Sequence, residues 1–136
     1  MKVKAYFDDI QNVIIKKINQ ATSEIQVAVA WFTAQSLLNA LSYKAQQGVS
    51  VEILLIDDEI NKGIGRLNFS QLENFGGKVS FITSKNYNKM HHKFCVIDKN
   101  IVITGSYNWT NQAQNNQENI MITEGDLDLA NEFLDI

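Results

Sequence analysis

Apolar residues recur every three or four positions from Asp8 to Gln20, where Ile10, Val13, Ile14, Ile15 and Ile18 gather on one side. That period predicts an amphipathic helix with Asp8 or Asp9 as its N-cap. The valine-rich run Glu24–Phe32 predicts a strand. Thr33 is placed to cap a helix over Ala34–Gln47, whose apolar face carries Leu37, Leu38 and Leu41, and Gly48 supplies its C-terminal stop. Val49–Ile56 is nearly continuous in apolar residues, the pattern of a strand buried on both faces. Asp57–Gly65 reads as a loop, Arg66–Phe75 as a helix ending at Gly76-Gly77, and Lys78–Thr83 as a strand. His91–Ile97 and Ile101–Gly105 are two more strands, Asn119–Thr123 is a sixth, and Leu127–Phe133 is a final helix. Strands alternating with helices predict an α/β fold: a mixed β-sheet flanked by helices on both faces. With no proline, no repeat and no low-complexity tract, the chain reads as a single domain over 1–136.

Composition narrows the function classes. A chain of 136 residues can bury one core, and 45% hydrophobic content excludes disorder. No apolar run reaches the ~18 residues of a transmembrane segment. The opening MKVKAYFDDI lacks the apolar stretch of a secretion signal, so a cytoplasmic protein is expected. The lone Cys95, in an apolar strand, reads as a small buried hydrophobe. Gly63-Ile64-Gly65 lacks the third glycine and the lysine-plus-hydroxyl ending of a phosphate loop, and reads as a loop glycine pair.

Net charge is −3, against a broadly basic nucleic-acid binder, but its distribution is uneven. All twelve bases lie at or before Lys99, while residues 100–136 hold six acids and no base. Lys78, Lys85, Lys89, Lys93 and Lys99 cluster with one acid, Asp98. Such a local patch can draw in an anionic substrate despite the overall sign.

The candidate chemistry sits in HHKFCVIDKNIVITGSYNWT, from His91 to Thr110. If Lys99-Asn100 forms a two-residue turn, Lys93 lies opposite Ser106 and His91 opposite Asn108. Strand alternation then puts all four on one face. Each suits a phosphate ligand. Lys93 supplies charge, and Ser106 and Asn108 supply donors to the oxygens. His91 offers a nitrogen that attacks or moves a proton near neutral pH. His92 falls on the other face and reads as structural. Asp98 falls in the turn, where aspartate bonds its own backbone. A zinc set is not evident, because adjacent histidines on a strand diverge and no other His or paired Cys completes it. The acids Asp57-Asp58-Glu59 read as a solvated loop rather than a cation site. No metal or cofactor is therefore expected.

The pattern His91-x-Lys93-x4-Asp98-x6-Gly105-Ser106-x-Asn108 resembles the HKD signature of the phospholipase D superfamily, with its spacing complete. The stretch Ala30-Trp31-Phe32-Thr33 followed by a helix resembles the first unit of those domains. The resemblance implies metal-independent phosphodiester cleavage through a phosphohistidine, with a second motif donating the proton. Carried over, His91 attacks in one copy and acts as acid in the other. Lys93 and Asn108 hold the phosphate, Ser106 assists, and Asp98 orients or supports the site. A downstream acid fixes the nucleophile's tautomer, and Glu118 is the candidate, since a carboxylate on the far ring nitrogen is the usual orienting device. One motif per chain implies a homodimer with the active site at the two-fold interface. Nucleic acid is the favoured substrate, DNA ahead of RNA, because a lysine patch suits a phosphate backbone and no amphipathic basic helix holds a lipid surface. Cardiolipin-type phospholipid and a non-catalytic nucleic-acid-binding module are the alternatives.

Overall fold

A computed structural model describes residues 1–84 and 89–136 of the chain. Lys85, one of the five clustered lysines, lies outside the described residues. The elements run β1 (Lys2–Tyr6), α1 (Ile10–Ile18), β2 (Glu24–Val29), α2 (Gln35–Gln46), β3 (Ser50–Ile56), α3 (Glu59–Lys62), α4 (Ser70–Asn74), β4 (Lys78–Ile82), β5 (Lys93–Ile97), β6 (Ile101–Gly105), β7 (Ile120–Glu124) and α5 (Leu127–Leu134). The seven strands form one mixed sheet in the order β1-β7-β6-β5-β2-β3-β4. β2, β3 and β4 are parallel, as helical crossovers require, and the remaining neighbours are antiparallel.

Six of these strands match the sequence pattern; β1 does not, and is a seventh. Its KVKAY run is mostly exposed and pairs only with β7, so no hydrophobic signal marks it. Lysines at an unpaired sheet edge also discourage pairing with another chain. The helical boundaries shift in three places. α2 begins at Gln35, and the Thr33 and Ala34 amides donate to the Trp109 carbonyl at 2.9 and 3.0 Å, so Thr33 does not cap the helix. The predicted helix over Arg66–Phe75 is confined to α4, where the Asn68 side chain accepts from the Ser70 amide at 2.9 Å. The predicted loop Asp57–Gly65 contains the one-turn α3, capped by Asp58 accepting from Asn61 N–H at 3.1 Å.

The main core lies between the sheet and α1, α2 and α4. Ile10, Ile14 and Ile18 repeat at four-residue spacing and are all buried, against Val27, Val29, Ile53 and Leu55 of the central strands. Burying each such side chain is worth about 1.5–3 kcal/mol. On the other face α5 packs Ala130, Leu129 and Phe133 over Phe94, Val96 and Val102. Cys95 is fully buried, and desolvation pushes its thiol pKa up, which keeps it protonated and inert.

Topology gathers the site. Parallel β2 and β3 end at one edge of the sheet. β5, antiparallel to β2, begins there; β6 ends there; β7 begins there. The loops bearing Trp31, Asp58, His91, Asn108 and Glu118 therefore meet at the carboxyl ends of the parallel strands, the usual place for a ligand in an open α/β sheet.

Candidate active site

The hairpin differs from its expected geometry. Asp98 and Lys99 both take left-handed φ, 55° and 54°, and the Asn100 N–H donates to the Ile97 carbonyl at 3.0 Å. Phe94 pairs with Thr104 and Ile97 with Ile101, so the loop holds three residues rather than two. In this register Lys93 is not opposite Ser106. Moreover, β5 starts at Lys93 and β6 stops at Gly105, so His91, Ser106 and Asn108 lie beyond the paired strands. Strand parity is not what groups them.

Another alternation takes over after Gly105. Tyr107 and Trp109 are each only 2% exposed, while Ser106 before them and Asn108 between them face the other way. Trp109 packs edge-on against Phe32, and its N–H donates to the Trp31 carbonyl at 3.1 Å. These anchors hold Asn108 at the sheet edge. Its Oδ1 accepts the Trp31 backbone N–H at 3.2 Å. With the carbonyl side of the amide so engaged, the Nδ2 donors face the opening. Gly105 makes the turn-off possible. A Cβ there would collide with the Asn119 carbonyl oxygen and lie 2.8 Å from the Ile120 Cα.

His91 and Lys93 meet directly. The Lys93 Nζ lies 2.9 Å from His91 Nδ1 and 3.1 Å from the His91 carbonyl oxygen. An ammonium only donates, so Nδ1 is the acceptor and carries the ring's lone pair. The Lys93 charge, reinforced by desolvation and by Lys89, holds the His91 pKa below its ordinary value, which favours a neutral imidazole near pH 7. Desolvation also lowers the Lys93 pKa, and the negative charge of Glu118 opposes that shift. The edge of the Trp31 indole meets the His91 ring at 88°, with 5.9 Å between centroids. The indole N–H in turn donates to Asp58 Oδ2 at 2.8 Å.

The other expected site residues fall elsewhere. Asp98 stands at the far end of β5 from Lys93, about 17 Å away at strand rise. Its carboxylate accepts from the Thr22, Ser23 and Glu24 amides and from both hydroxyls, at 2.8–3.2 Å. Within one chain it touches nothing in the His91 cluster; it clamps the start of β2. Ser106 Oγ accepts the Asn119 N–H at 3.1 Å, so its oxygen closes the β6–β7 edge. Glu118 lines the opening, but its carboxylate accepts from Asn116 Nδ2 at 3.2 Å and not from His91. His92 fits its structural role: its carbonyl accepts the Ala30 N–H at 2.9 Å and its ring meets Phe94.

Three contributors were not singled out as site residues. Asn61, 1% exposed, accepts the Phe32 N–H at 2.9 Å and donates to the Ala30 and Ile56 carbonyls, both at 2.8 Å. It welds the ends of β2 and β3 together. Asp58 and Trp31 are the other two. An aspartate three residues before an asparagine is a capping cue in the sequence; the contacts of Trp31 carry no local signal.

The profile of the family described as cardiolipin synthase, PLD-like domain matches residues 14–136. The chain belongs to the phospholipase D superfamily. This phospholipase D-like domain is 36% identical, over 117 residues, to the mitochondrial cardiolipin hydrolase of Homo sapiens, covering 83% of the chain and 44% of that relative. It thus spans less than half the length of the mitochondrial cardiolipin hydrolases of Homo sapiens and Mus musculus. Its fold superposes on Nuc of Salmonella typhimurium, a phospholipase D family member, with a TM-score of 0.83 at 26% identity, covering 98% of this chain and 90% of that one. NucT of Helicobacter pylori gives 0.82 at 26% identity, covering 98% and 91%. The domain accordingly has the fold of that superfamily, with a seven-stranded mixed sheet.

Proposed function

We propose that this domain is a phosphodiesterase that cleaves nucleic acid, DNA ahead of RNA, through a phosphohistidine formed on His91 in a homodimer. The pairing of His91 Nδ1 with Lys93 Nζ at 2.9 Å carries the reading. A phosphate oxygen is a stronger partner for an ammonium than an imidazole nitrogen is. Substrate binding therefore moves Lys93 onto the phosphate and frees the Nδ1 lone pair. Nδ1 attacks phosphorus, and the bond to the leaving alkoxide breaks. The His91 of a second copy, entering as imidazolium, gives the leaving oxygen its proton and becomes neutral, then takes a proton from water as that water displaces the first histidine from phosphorus. Asn108 Nδ2 and Lys93 hold the non-bridging oxygens where charge develops. Ser106 acts through its lock on Asn119, and Glu118 acts on Lys93 by charge.

One histidine stands in the lysine cluster of this domain, which supports a second copy as the source of the other catalytic histidine. A two-fold interface astride the opening supplies it. Polar side chains line that opening, and the charges of Lys93 and Lys89 act on His91, which suits a phosphate backbone.

The lipid alternative rests on a specific observation, the 36% identity to a mitochondrial cardiolipin hydrolase. One experiment separates the readings. Protein and His91→Ala are incubated in excess EDTA with single- and double-stranded DNA, RNA and cardiolipin vesicles. An acid-labile, base-stable phosphoprotein is then sought by rapid quench, and mass is measured by sedimentation. Cleavage of DNA by the unaltered protein alone, from a dimer, is expected. Cleavage of cardiolipin only would establish the lipid reading. Binding without cleavage would establish the non-catalytic module, and a fully active monomer would overturn the dimer.

A further inference from the structure

A groove of about 660 Å3 opens beside the His91–Lys93 pair. Trp31 lines the groove and meets the His91 ring, and Asn108 lines it while accepting the Trp31 amide. Beyond them the groove is lined by the amides of Asn111, Gln112 and Asn116 and by Arg66. Its volume lies inside the roughly 300–1,000 Å3 of small-ligand sites and has room for a nucleoside. Arg66 is the only arginine in the chain, and it is exposed. Among the described residues the salt bridges join Lys17 to Glu124 and Lys62 to Asp57, so the Arg66 guanidinium is committed to no carboxylate. Its neighbour Lys62 is neutralised; Arg66 is not.

The scissile phosphate already has its partners in Lys93 and Asn108. Arg66, a further cation that lines the groove, calls for a second anion. A planar guanidinium with five donors matches phosphate oxygens in pairs. The side-chain amides in the groove lining suit the hydrogen-bonding edges of a sugar and base, and the Trp31 ring offers a face for stacking. We propose that the groove seats the nucleotide flanking the scissile bond and that Arg66 grips the phosphate of that nucleotide. The assignment rests on the nucleic-acid reading above and makes it more specific: the preferred substrate carries at least two successive phosphates.

The test compares wild type, Arg66→Ala and Arg66→Lys on two substrates in EDTA. One is a short single-stranded DNA; the other is bis(p-nitrophenyl) phosphate, which has one phosphate and no neighbour. Loss of a charged hydrogen-bonding pair lowers kcat/KM on DNA about 10- to 100-fold in Arg66→Ala. Lysine at that position recovers part of the loss. Both variants hydrolyse the one-phosphate ester within twofold of wild type. A DNA with a neutral methylphosphonate beside the cut site shows a similar loss for wild type and no further loss for Arg66→Ala. Equal losses on both substrates, or none on DNA, would overturn the Arg66 assignment alone. A wild type that hydrolyses the ester but no nucleic acid would overturn the assignment together with the reading beneath it.

Discussion

Asp98 belongs to the motif by spacing, and its contacts are structural, so its substitution separates the two roles. The carboxylate accepts from three successive amides and two hydroxyls of the segment that opens β2. Desolvation would raise its pKa, but the amides of Glu24, Ser23 and Thr22 outweigh it and hold the pKa at about 2, against an ordinary 3.8. That difference is worth about 2.5 kcal/mol at full strength. The group is partly exposed, and solvent screening reduces the contribution to about 1–2 kcal/mol. Asp98→Asn, which loses the charge and keeps one acceptor, should destabilise by that amount. Asp98→Ala, which also strands three amides, should cost about 2–3 kcal/mol. The sign of the pH dependence follows from a folded pKa below the unfolded one. The stabilisation is complete above about pH 4 and disappears as pH falls towards 2. Urea unfolding of wild type and Asp98→Asn at several pH values should therefore show midpoints that differ at pH 7 and converge near pH 2. The kcat per folded molecule should stay within about threefold of wild type. A midpoint unchanged at pH 7 with kcat down a hundredfold would refute the reasoning and return Asp98 to the chemistry.

Three further outcomes are expected. Asn61→Ala leaves the Phe32 amide and the Ala30 and Ile56 carbonyls without their side-chain partner, and should cost about 3 kcal/mol in urea unfolding; a cost below about 1 kcal/mol would contradict the weld. Proton NMR titration of His91 should give a midpoint below 6.5, moving up in Lys93→Ala because the lysine charge is the main cause of the depression; a midpoint that stays put would contradict that cause. Trp31→Phe keeps a ring against His91 and loses the bond to Asp58, so kcat should fall about 3- to 10-fold with KM and stability nearly unchanged. Asp58→Asn, which retains an acceptor oxygen, should retain more activity than Asp58→Ala, and equal activities would contradict the Asp58–Trp31 link.

The sequence made the architecture legible where burial is periodic. The isoleucines of α1 and the apolar runs of β2, β3, β5 and β6 each carry one dominant period. β1 escaped because an edge strand packed on one neighbour needs little hydrophobicity. His91, Lys93 and Asn108 were singled out by residue type and spacing, and they do meet at one sheet edge, but by a different geometry from the one expected. The turn holds two non-glycine residues in the left-handed region, and the Asp98 clamp compensates a conformation that local propensity disfavours. Asn108 is aimed by the burial of Tyr107 and Trp109, not by continuation of β6. Contacts such as Asp58 with Trp31 join positions 27 apart in the chain, and Gln11 with Asn111 positions 100 apart; no local pattern encodes them.

The strand order also sets a timetable. β2, β3 and β4 follow one another in the chain and sit side by side, so a growing polypeptide can assemble them early. His91, Lys93 and Asn108 emerge later, and Glu118 and the β7 edge that Ser106 locks emerge later still. A nascent chain that has reached β4 holds three neighbouring strands of the sheet and none of His91, Lys93 and Asn108. On the proposed reading, the groups that would act on phosphate thus come together only with the closing strands, after most of the sheet has left the ribosome.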